Sequence, residues 1–345
     1  MDKEAIIARI LSNCSQKPKH REGIAFAPAN IALCKYWGKR NTELNLPVTS
    51  SLSVSLGNLG AKTTIEIEDG YADRIFVNKE EIKADSIFAK NLSNFLNLFR
   101  TKAKISFRIK TTVNIPIGAG LASSACGFAA IVNALNQLYE WQLPSSSLSI
   151  LARIGSGSAA RSLWQGFVEW QAGIQEDGMD SFAMPLPQIW PSLRIGLLIV
   201  NTEQKAVSSR EAMQRTVLTS PFYSAWPDKQ ALDLNRLKQA LYLQSFVELG
   251  EISEANALAM HALMLTANPS ILYSEAATIA AIHKIWHYRR LGLLLFFTQD
   301  AGPNLKLLFQ EQDMDNVVKI FPNLQVVAPF ENSSQNDTSF LSNVL

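Results

Sequence analysis

The stretch NIPIGAGLASSACGFAAIVNALNQLY, residues 114–139, joins a glycine-rich turn to a long apolar segment. Gly118 and Gly120 permit a ligand to approach the backbone closely, and Ser123 and Ser124 stand where a helical pattern begins. A helix N-terminus with free N–H groups and hydroxyls suits a phosphate. The alternative is a serine-capped helix after a glycine turn, because the stretch lacks the spacing of a P-loop or of a dinucleotide-binding motif.

Alternating or continuous apolar residues predict the elements around this helix. Strands are expected over residues 51–56, 62–68, 104–110, 193–200 and 291–298. A second helix is expected over residues 147–154, and further helical segments follow, including residues 232–250. Strands and helices are interspersed without the regular alternation of a Rossmann series, which predicts the α+β class.

The length of 345 residues predicts two domains, at roughly 150 residues each. The proline-rich residues 184–191 are the expected boundary, with an N-terminal domain over 1–191, a C-terminal domain over 192–330 and a disordered tail over 331–345. The first twenty residues are expected to be frayed or separately packed. A hydrophobic content of 47% with 18% charged residues is enough for a sizeable core.

Several functional classes are disfavoured by the composition. The net charge is only +2, and no basic run with interleaved aromatics predicts nucleic-acid binding. No apolar run approaches the roughly 20 residues that span a bilayer. Three cysteines without a CxxC pair and an N-terminus unlike a secretory signal predict a reduced, cytoplasmic protein. His283 and His287 lack the intervening glutamate of a zinc motif, so we expect a solvated helix face and no protein metal site.

The segment GSGSAARS, residues 155–162, lies between two apolar stretches and is therefore not a typical flexible linker. A buried turn of this kind presents Ser156 and Ser158 to a ligand. Arg161 adds a planar fork that matches a carboxylate or a phosphate. An ordinary interdomain turn with a surface arginine is the alternative interpretation.

Two further segments carry candidate chemistry. Asp300 follows an apolar strand and precedes Gly302-Pro303, so it is either a general base at the mouth of the strand or the first residue of a turn. Near the N-terminus, NIALCKYWGKR places Lys35, Tyr36 and Lys39 within a few residues. On their own these three residues favour a solvated basic edge.

Together and in this order, four segments closely resemble the mevalonate diphosphate decarboxylases of the GHMP kinase superfamily. They are APANIALCKYWGK, PIGAGLASSA, GSGSAARSLWQGFVEW and FFTQDAGPN. The resemblance extends from about residue 27 to residue 309, and the first and third segments are its most specific parts. It implies an N-terminal domain with a left-handed βαβ fold, a ferredoxin-like C-terminal domain and an active site between them.

The resemblance also implies roles for individual residues. Asp300 is expected to be the catalytic base and Arg161 to hold the substrate carboxylate, with Lys35 and Asn30 beside the reacting centre. Substrate-binding residues are implied at Tyr36, Lys39, Ser156, Ser158, Ser209, Arg210 and Met213. The resemblance implies that the ATP phosphates are bound by Gly118, Gly120, Ser123 and Ser124. Ile154 departs from the family, because many members have a second basic residue before GSGS.

The implied reaction is the ATP- and Mg²⁺-dependent decarboxylation of mevalonate 5-diphosphate, through phosphorylation of its 3-hydroxyl, to isopentenyl diphosphate. A homodimer is also implied. A decarboxylase of the monophosphate or a mevalonate 3-kinase is the alternative within the superfamily. Outside it, the alternative is a non-catalytic ATP-binding protein on the same fold.

Overall fold

The computed structural model describes residues 2–68, 72–100, 105–115, 123–203 and 205–331, with the side chain of Ser123 excepted. Gly118, Gly120 and the predicted disordered tail beyond residue 331 lie outside the described residues. The described helices are α1 Lys3–Ile10, α2 Ile87–Asn97, α3 Ser123–Tyr139, α4 Ser145–Gly155, α5 Ser209–Thr219, α6 Trp226–Tyr242, α7 Phe246–Leu265, α8 Ala276–Arg290 and α9 Met314–Ile320.

The strands of the described residues form a seven-stranded, a four-stranded and a two-stranded sheet. They are β1 Glu22–Cys34, β2 Lys39–Asn41, β3 Leu46–Pro47, β4 Ser51–Glu68, β5 Arg74–Val77, β6 Glu80–Glu81, β7 Ser106–Val113, β8 Phe167–Trp170, β9 Ala183–Pro185, β10 Leu193–Leu198, β11 Phe296–Gln299, β12 Leu305–Gln310 and β13 Gln325–Val327. The mixture of sheets and helices confirms the predicted α+β class.

Strand β4 organises the seven-stranded sheet by pairing with β1, β7 and β8. The two strands predicted over residues 51–56 and 62–68 are thus one strand, which is a correction. Gly57 has a φ of 57° and lies where the β1–β4 register shifts, so it forms a bulge rather than a turn. Helix α3 packs across β1 and β4, and a Cβ on Gly23 would clash with the carbonyl of Ala134. The glycine therefore permits the close contact between β1 and α3.

The four-stranded sheet has the order β11-β12-β10-β13, with every neighbouring pair antiparallel. Helices α5 to α8 connect β10 to β11, and α9 connects β12 to β13. This connectivity and strand order are those of the predicted ferredoxin-like domain. Two boundaries differ from expectation. The predicted helix over residues 232–250 is interrupted at 243–245, where Gln244 has a φ of 50°, and the last predicted strand begins only at Phe296, after a turn at Gly292.

The expectation for the N-terminal twenty residues is wrong. Ile6, Ile7 and Leu11 belong to the main hydrophobic core, which also includes residues of α3, α4 and β10. Arg9 forms an ion pair of 3.0 Å with Asp177, and the Trp141 indole donates to the carbonyl of Ser15. Apolar burial therefore fixes α1 on the body of the protein.

The seven-stranded sheet ends at Pro185 and the four-stranded sheet begins at Leu193, so the predicted boundary at residue 191 falls between them. The domain limits themselves stay a prediction, because the main core contains residues from both sheets. Within the described part of the chain, no helix is long and apolar enough to cross a membrane.

Candidate active site

A cavity of ≈330 Å³ lies where the loop after β1, the start of α3, the turn after α4, the start of α5 and the end of β11 meet. It brings together every predicted site residue whose side chain is described. They are Asn30, Lys35, Tyr36, Lys39, Ser124, Ser156, Ser158, Arg161, Ser209, Arg210, Met213 and Asp300. Residues up to 270 positions apart in sequence, as Asn30 and Asp300 are, thus line one site.

Asp300 lies between two buried lysines. Its Oδ1 accepts a hydrogen bond of 2.7 Å from the Nζ of Lys35, and its Oδ2 lies 3.4 Å from the Nζ of Lys306. Both lysine side chains are 2% exposed, whereas the carboxyl is 30% exposed and borders the cavity. The predicted solvated basic edge is therefore wrong for Lys35, which is buried as one partner of a charge pair.

The pKa values at this end of the cavity follow from that arrangement. Burial alone would raise the pKa of the Asp300 carboxyl, but the ammonium groups of Lys35 and Lys306 outweigh it and hold the pKa well below its usual range. Burial lowers the pKa of Lys35, and the Asp300 carboxylate opposes this effect. Asp300 is consequently an ionised carboxylate at neutral pH.

The backbone beside Asp300 is held by two residues that the sequence analysis did not identify. The Nε2 of His261 lies 3.1 Å from the Asp300 carbonyl oxygen, and burial lowers the pKa of this imidazole to about 4. A neutral ring then donates this hydrogen bond from Nε2. Lys205 donates to the carbonyl of Ala301 and to the hydroxyl of Ser209 at 3.3 Å, which links the Asp300 turn to α5.

Arg161 is buried without a carboxylate partner in the described residues. One of its terminal nitrogens donates to the hydroxyl of Ser51, and its guanidinium lies 5.9 Å from the centre of the Trp170 ring. Its Nε has no hydrogen-bond partner in the part of the chain that the structure describes. Burial lowers its pKa to about 10, so it stays charged at neutral pH. An unpaired buried cation that lines a cavity is suited to an anionic ligand.

Tyr36 presents a buried hydroxyl that also has no hydrogen-bond partner among the described residues. Its ring packs edge-on against Trp170 at 4.8 Å, and a Cβ at position 157 would come within 2.7 Å of its hydroxyl oxygen. Gly157 therefore leaves room for the tyrosine beside Ser156 and Ser158. Burial raises the pKa of Tyr36 well above its usual range, so the hydroxyl keeps its proton and can donate it to an anion.

The opposite end of the cavity carries cations with few partners. The Nζ of Lys39 donates to the Oδ1 of Asn45 at 2.6 Å, and the amide of Asn45 donates to the carbonyl of Arg153. Burial, with the charges of Arg210 and Lys3 adding to it, lowers the pKa of Lys39 to about 8. Among the described residues no salt bridge involves Lys39 or Arg210, which leaves both available to a ligand anion.

The loop after β1 is fixed from behind by a buried polar network. The side-chain Oδ1 of Asn256 accepts from the backbone N–H of Lys35 at 2.9 Å, and its Nδ2 donates to Asp233 at 2.7 Å. Asn30 donates to the hydroxyl of Ser162 at 2.6 Å. These bonds hold the end of β1 against α7 and against the turn that carries Arg161.

Sequence reasoning missed five residues that shape this site: Asn45, Lys205, Asn256, His261 and Lys306. For two of them the sequence did contain a signal, since Lys306 interrupts the apolar strand LKLLFQ and Asn256 the apolar helix segment EANALAM. A polar residue inside an apolar run is expected to have a buried partner. No three His, Cys, Asp or Glu side chains come together as metal ligands in the part of the chain that the structure describes.

Comparisons with known proteins find one family across most of the chain. Residues 27–183 match the model of the diphosphomevalonate decarboxylase-like N-terminal domain, and residues 195–342 match that of the mevalonate 5-diphosphate decarboxylase C-terminal domain. The diphosphomevalonate decarboxylase mvd1 of Aspergillus fumigatus is 37% identical over 318 residues, which cover 84% of this chain and 77% of that relative.

Solved structures are similar over most of both chains. Mevalonate diphosphate decarboxylase from Staphylococcus aureus has a TM-score of 0.84 and 33% identity, and covers 89% of this chain and 95% of its own. A structure of MDDEF in complex with MVAPP, AMPPCP and magnesium has a TM-score of 0.82 and 36% identity. The match covers 89% of this chain and 96% of that one. The two-domain fold expected from the resemblance is thereby confirmed.

Proposed function

The chain belongs to the diphosphomevalonate decarboxylase family, and we propose that it uses ATP to convert mevalonate diphosphate into isopentenyl diphosphate, ADP, phosphate and carbon dioxide. One observation carries the proposal more than any other. The cavity holds an ionised carboxylate, Asp300, and an unpaired buried guanidinium, Arg161, on the same surface. The reaction requires both, one for a hydroxyl and the other for a carboxylate.

Asp300 accepts the hydrogen of the substrate's 3-hydroxyl as that oxygen attacks the γ-phosphoryl group. Its low pKa makes it a weak proton acceptor, which is adequate for a loose transition state in which the phosphoryl group is largely detached before the new bond forms. Its main contribution is then to orient the hydroxyl oxygen. Lys35 keeps the carboxylate ionised and fixed at 2.7 Å.

Arg161 orients the substrate carboxylate for the second step. Once the 3-phosphate leaves, positive charge develops at that carbon, and the electron pair of the carboxylate-bearing bond forms the double bond as carbon dioxide departs. The buried, preorganised guanidinium holds the carboxylate in line without needing to move. Trp170 packs against both Arg161 and Tyr36 and thereby excludes water from this side of the cavity.

The diphosphate binds at the end of the cavity that carries unpaired donors. Tyr36 supplies a protonated hydroxyl, and Lys39 and Arg210 supply positive charge. Ser156, Ser158 and Ser209 line the same cavity and add hydroxyl donors, while Met213 provides an apolar contact. This set of donors favours two phosphate groups over one, and it supports the diphosphate as substrate.

ATP fits across the N-terminus of α3. Ser124 borders the reaction cavity and also a second, largely apolar cavity of ≈430 Å³, whose lining includes Ile75, Val77 and Phe88. A helix N-terminus attracts phosphates, and an apolar cavity suits a purine base. Asp300 is the one acidic side chain in the described lining of the reaction cavity, and both its oxygens face lysines. Mg²⁺ would therefore be held mainly by the ATP phosphates, whose charge it would offset.

One assay tests the proposal and separates its alternatives. The chain is incubated with Mg-ATP and either mevalonate diphosphate or mevalonate monophosphate, and ADP and carbon dioxide are both followed. We expect equal amounts of the two products with the diphosphate. ADP without carbon dioxide would indicate a 3-kinase, and neither product would indicate a non-catalytic ATP-binding protein. A homodimer and a cytoplasmic location stay predictions.

A further inference from the structure

A third cavity, of ≈480 Å³, adjoins the diphosphate end of the active site. It shares Lys39, Asn45, Arg210 and Met213 with the reaction cavity, and Lys3 of helix α1 also lines it. Its lining residues include three cations and no carboxylate among those described. A concave surface with three positive charges and no counter-charge is expected to attract an anion.

Lys3 is held at this cavity by the packing of α1. Ile6 and Ile7 follow it by three and four positions, so all three side chains lie on one face of the helix. Both isoleucines are buried in the main core. The side chain of Asp2 accepts from the backbone N–H of Ala5 at 2.8 Å and thereby caps the helix instead of pairing with Lys3.

The charge of Lys3 acts on the active site. It is one of the groups that lower the pKa of Lys39 to about 8, after burial and Arg210. Ile154, the residue that departs from the basic residue expected before GSGS, lines the same cavity. Helix α1 thus supplies a cation to a region where the motif itself provides an apolar side chain, and Lys3 precedes the family match that begins at residue 27.

We propose that Lys3 is a further substrate-binding residue, which adds this cavity to the diphosphate site as a subsite that selects for the terminal phosphate. The inference rests on the proposed function, which places the substrate diphosphate beside Tyr36, Lys39 and Arg210. Lys39 and Arg210 line both this cavity and the reaction cavity, and Lys3 lines this cavity together with them. No bond is made or broken at this subsite, so its effect is on binding.

The test compares Lys3→Met with Lys17→Met in the full chain. Lys17 is an exposed lysine of the same N-terminal segment and lines neither cavity. With saturating Mg-ATP we expect Lys3→Met to raise the KM for mevalonate diphosphate about five- to twentyfold. This is more than the loss of an exposed ion pair usually costs and less than the loss of a strong charged hydrogen bond. The kcat and the KM for ATP should stay within twofold, and Lys17→Met should match the wild type. Lys3→Arg should retain most of the affinity.

Two further measurements make the result decisive. Inorganic pyrophosphate should compete with the substrate, and its Ki should rise in Lys3→Met by the same factor as the KM. Adding Thr42→Lys, an exposed position on the same cavity, should recover part of the loss. An unchanged KM and Ki in Lys3→Met would overturn the inference, as would a loss of kcat alone.

Failure of the proposed function gives a different result. If the wild type released neither ADP nor carbon dioxide, the proposed reaction would be wrong, whereas calorimetry with pyrophosphate would still test the subsite. Tighter binding by the wild type than by Lys3→Met would support an anion site there. Equal binding by both would overturn it.

Discussion

The two ends of the active-site cavity handle positive charge in opposite ways. At the reaction end, Lys35 and Lys306 are buried and both are paired with Asp300. At the diphosphate end, Lys39 and Arg210 lie closer to solvent and no salt bridge in the described structure satisfies them. Paired and buried charges keep one protonation state and one geometry, which chemistry requires. Unpaired charges that are more exposed to solvent gain a partner only when an anion binds, which suits a substrate-binding site.

Arg161 combines features of both ends. It is buried like the reaction-end lysines but unpaired like the cations of the diphosphate end. A buried charge without a partner lowers the stability of the protein, so its retention indicates a function. The contrast therefore predicts that substitutions at the reaction end lower kcat and that substitutions at the diphosphate end raise KM. Substitution of Arg161 should change both.

The largest expected effect comes from Asp300→Asn, which removes the negative charge of the reaction end. We expect kcat to fall roughly 10²–10⁴-fold, with ADP and carbon dioxide falling together because phosphorylation comes first. The variant should also lose roughly 1–3 kcal/mol of unfolding free energy, since Lys35 and Lys306 lose their counter-charge at a partly exposed site. Product assays and thermal unfolding measure the two effects.

Two controls separate catalysis from stability in this experiment. Asp315→Asn, on the exposed side of α9, should leave both quantities unchanged. Adding Lys35→Met to Asp300→Asn should restore part of the stability without restoring turnover. Rapid ADP release without carbon dioxide in Asp300→Asn would contradict a role for this residue in phosphoryl transfer.

Arg161→Lys is expected to have the next largest effect. Lysine keeps the charge but lacks the planar fork, so we expect turnover to fall about ten- to a thousandfold and the affinity for an ATP analogue to change little. Arg236→Lys, on an exposed part of α6, is the matched control. Single-turnover measurement of carbon dioxide release shows the defect directly. Near-normal turnover would mean that the guanidinium does not contact the substrate carboxylate.

Replacing the substrate tests the diphosphate end without changing the protein. Mevalonate monophosphate lacks the terminal phosphate and its charged hydrogen bonds, which contribute roughly 1.5–3 kcal/mol each. We therefore expect kcat/KM to be at least about tenfold lower than for the diphosphate. Comparable efficiency with both substrates would remove the functional difference between the two ends.

The smallest effect concerns pH. Because the pKa of Lys39 is lowered to about 8, this lysine loses its proton as the pH rises through 8 in the free enzyme. The substrate binds the protonated form, whose fraction falls about tenfold between pH 7 and pH 9, so kcat/KM for the diphosphate should fall about tenfold over this range. In Lys39→Arg, which stays charged, this decrease should disappear. A decrease that persists in Lys39→Arg would assign the titration to another group.

The sequence predicted the local parts of this site better than the parts that come together from afar. Tyr36, Lys39, Ser156, Ser158 and Arg161 lie in short motifs whose residue types suit anions, and they line the cavity as expected. The pairing of Lys35 with Asp300 was not predictable from spacing, because the two partners are 265 residues apart. Without its partner, a lysine after an apolar strand is typical of a solvated edge.

The errors in the fold have a similar cause. The sequence pattern predicts two separate strands over residues 51–56 and 62–68, whereas pairing with three neighbours carries β4 through the bulge between them. The first twenty residues are predicted to be frayed or separately packed, because the eight residues of α1, with two buried isoleucines, give only a weak periodic pattern. Tertiary packing determines both the length of β4 and the position of α1, and local sequence propensity carries no information about such packing.

The Lys35–Asp300 pair has a consequence for biosynthesis. The ribosome delivers the cation 265 residues before its anion, and it delivers Arg161, Tyr36 and the serine-rich turn in between. Until β11 has emerged, the nascent chain carries a lysine that it cannot bury at low cost. Docking of the last strands supplies the missing charge and completes the site in the same event. A chain released before β11 therefore lacks both the last part of its core and the carboxylate that the reaction requires.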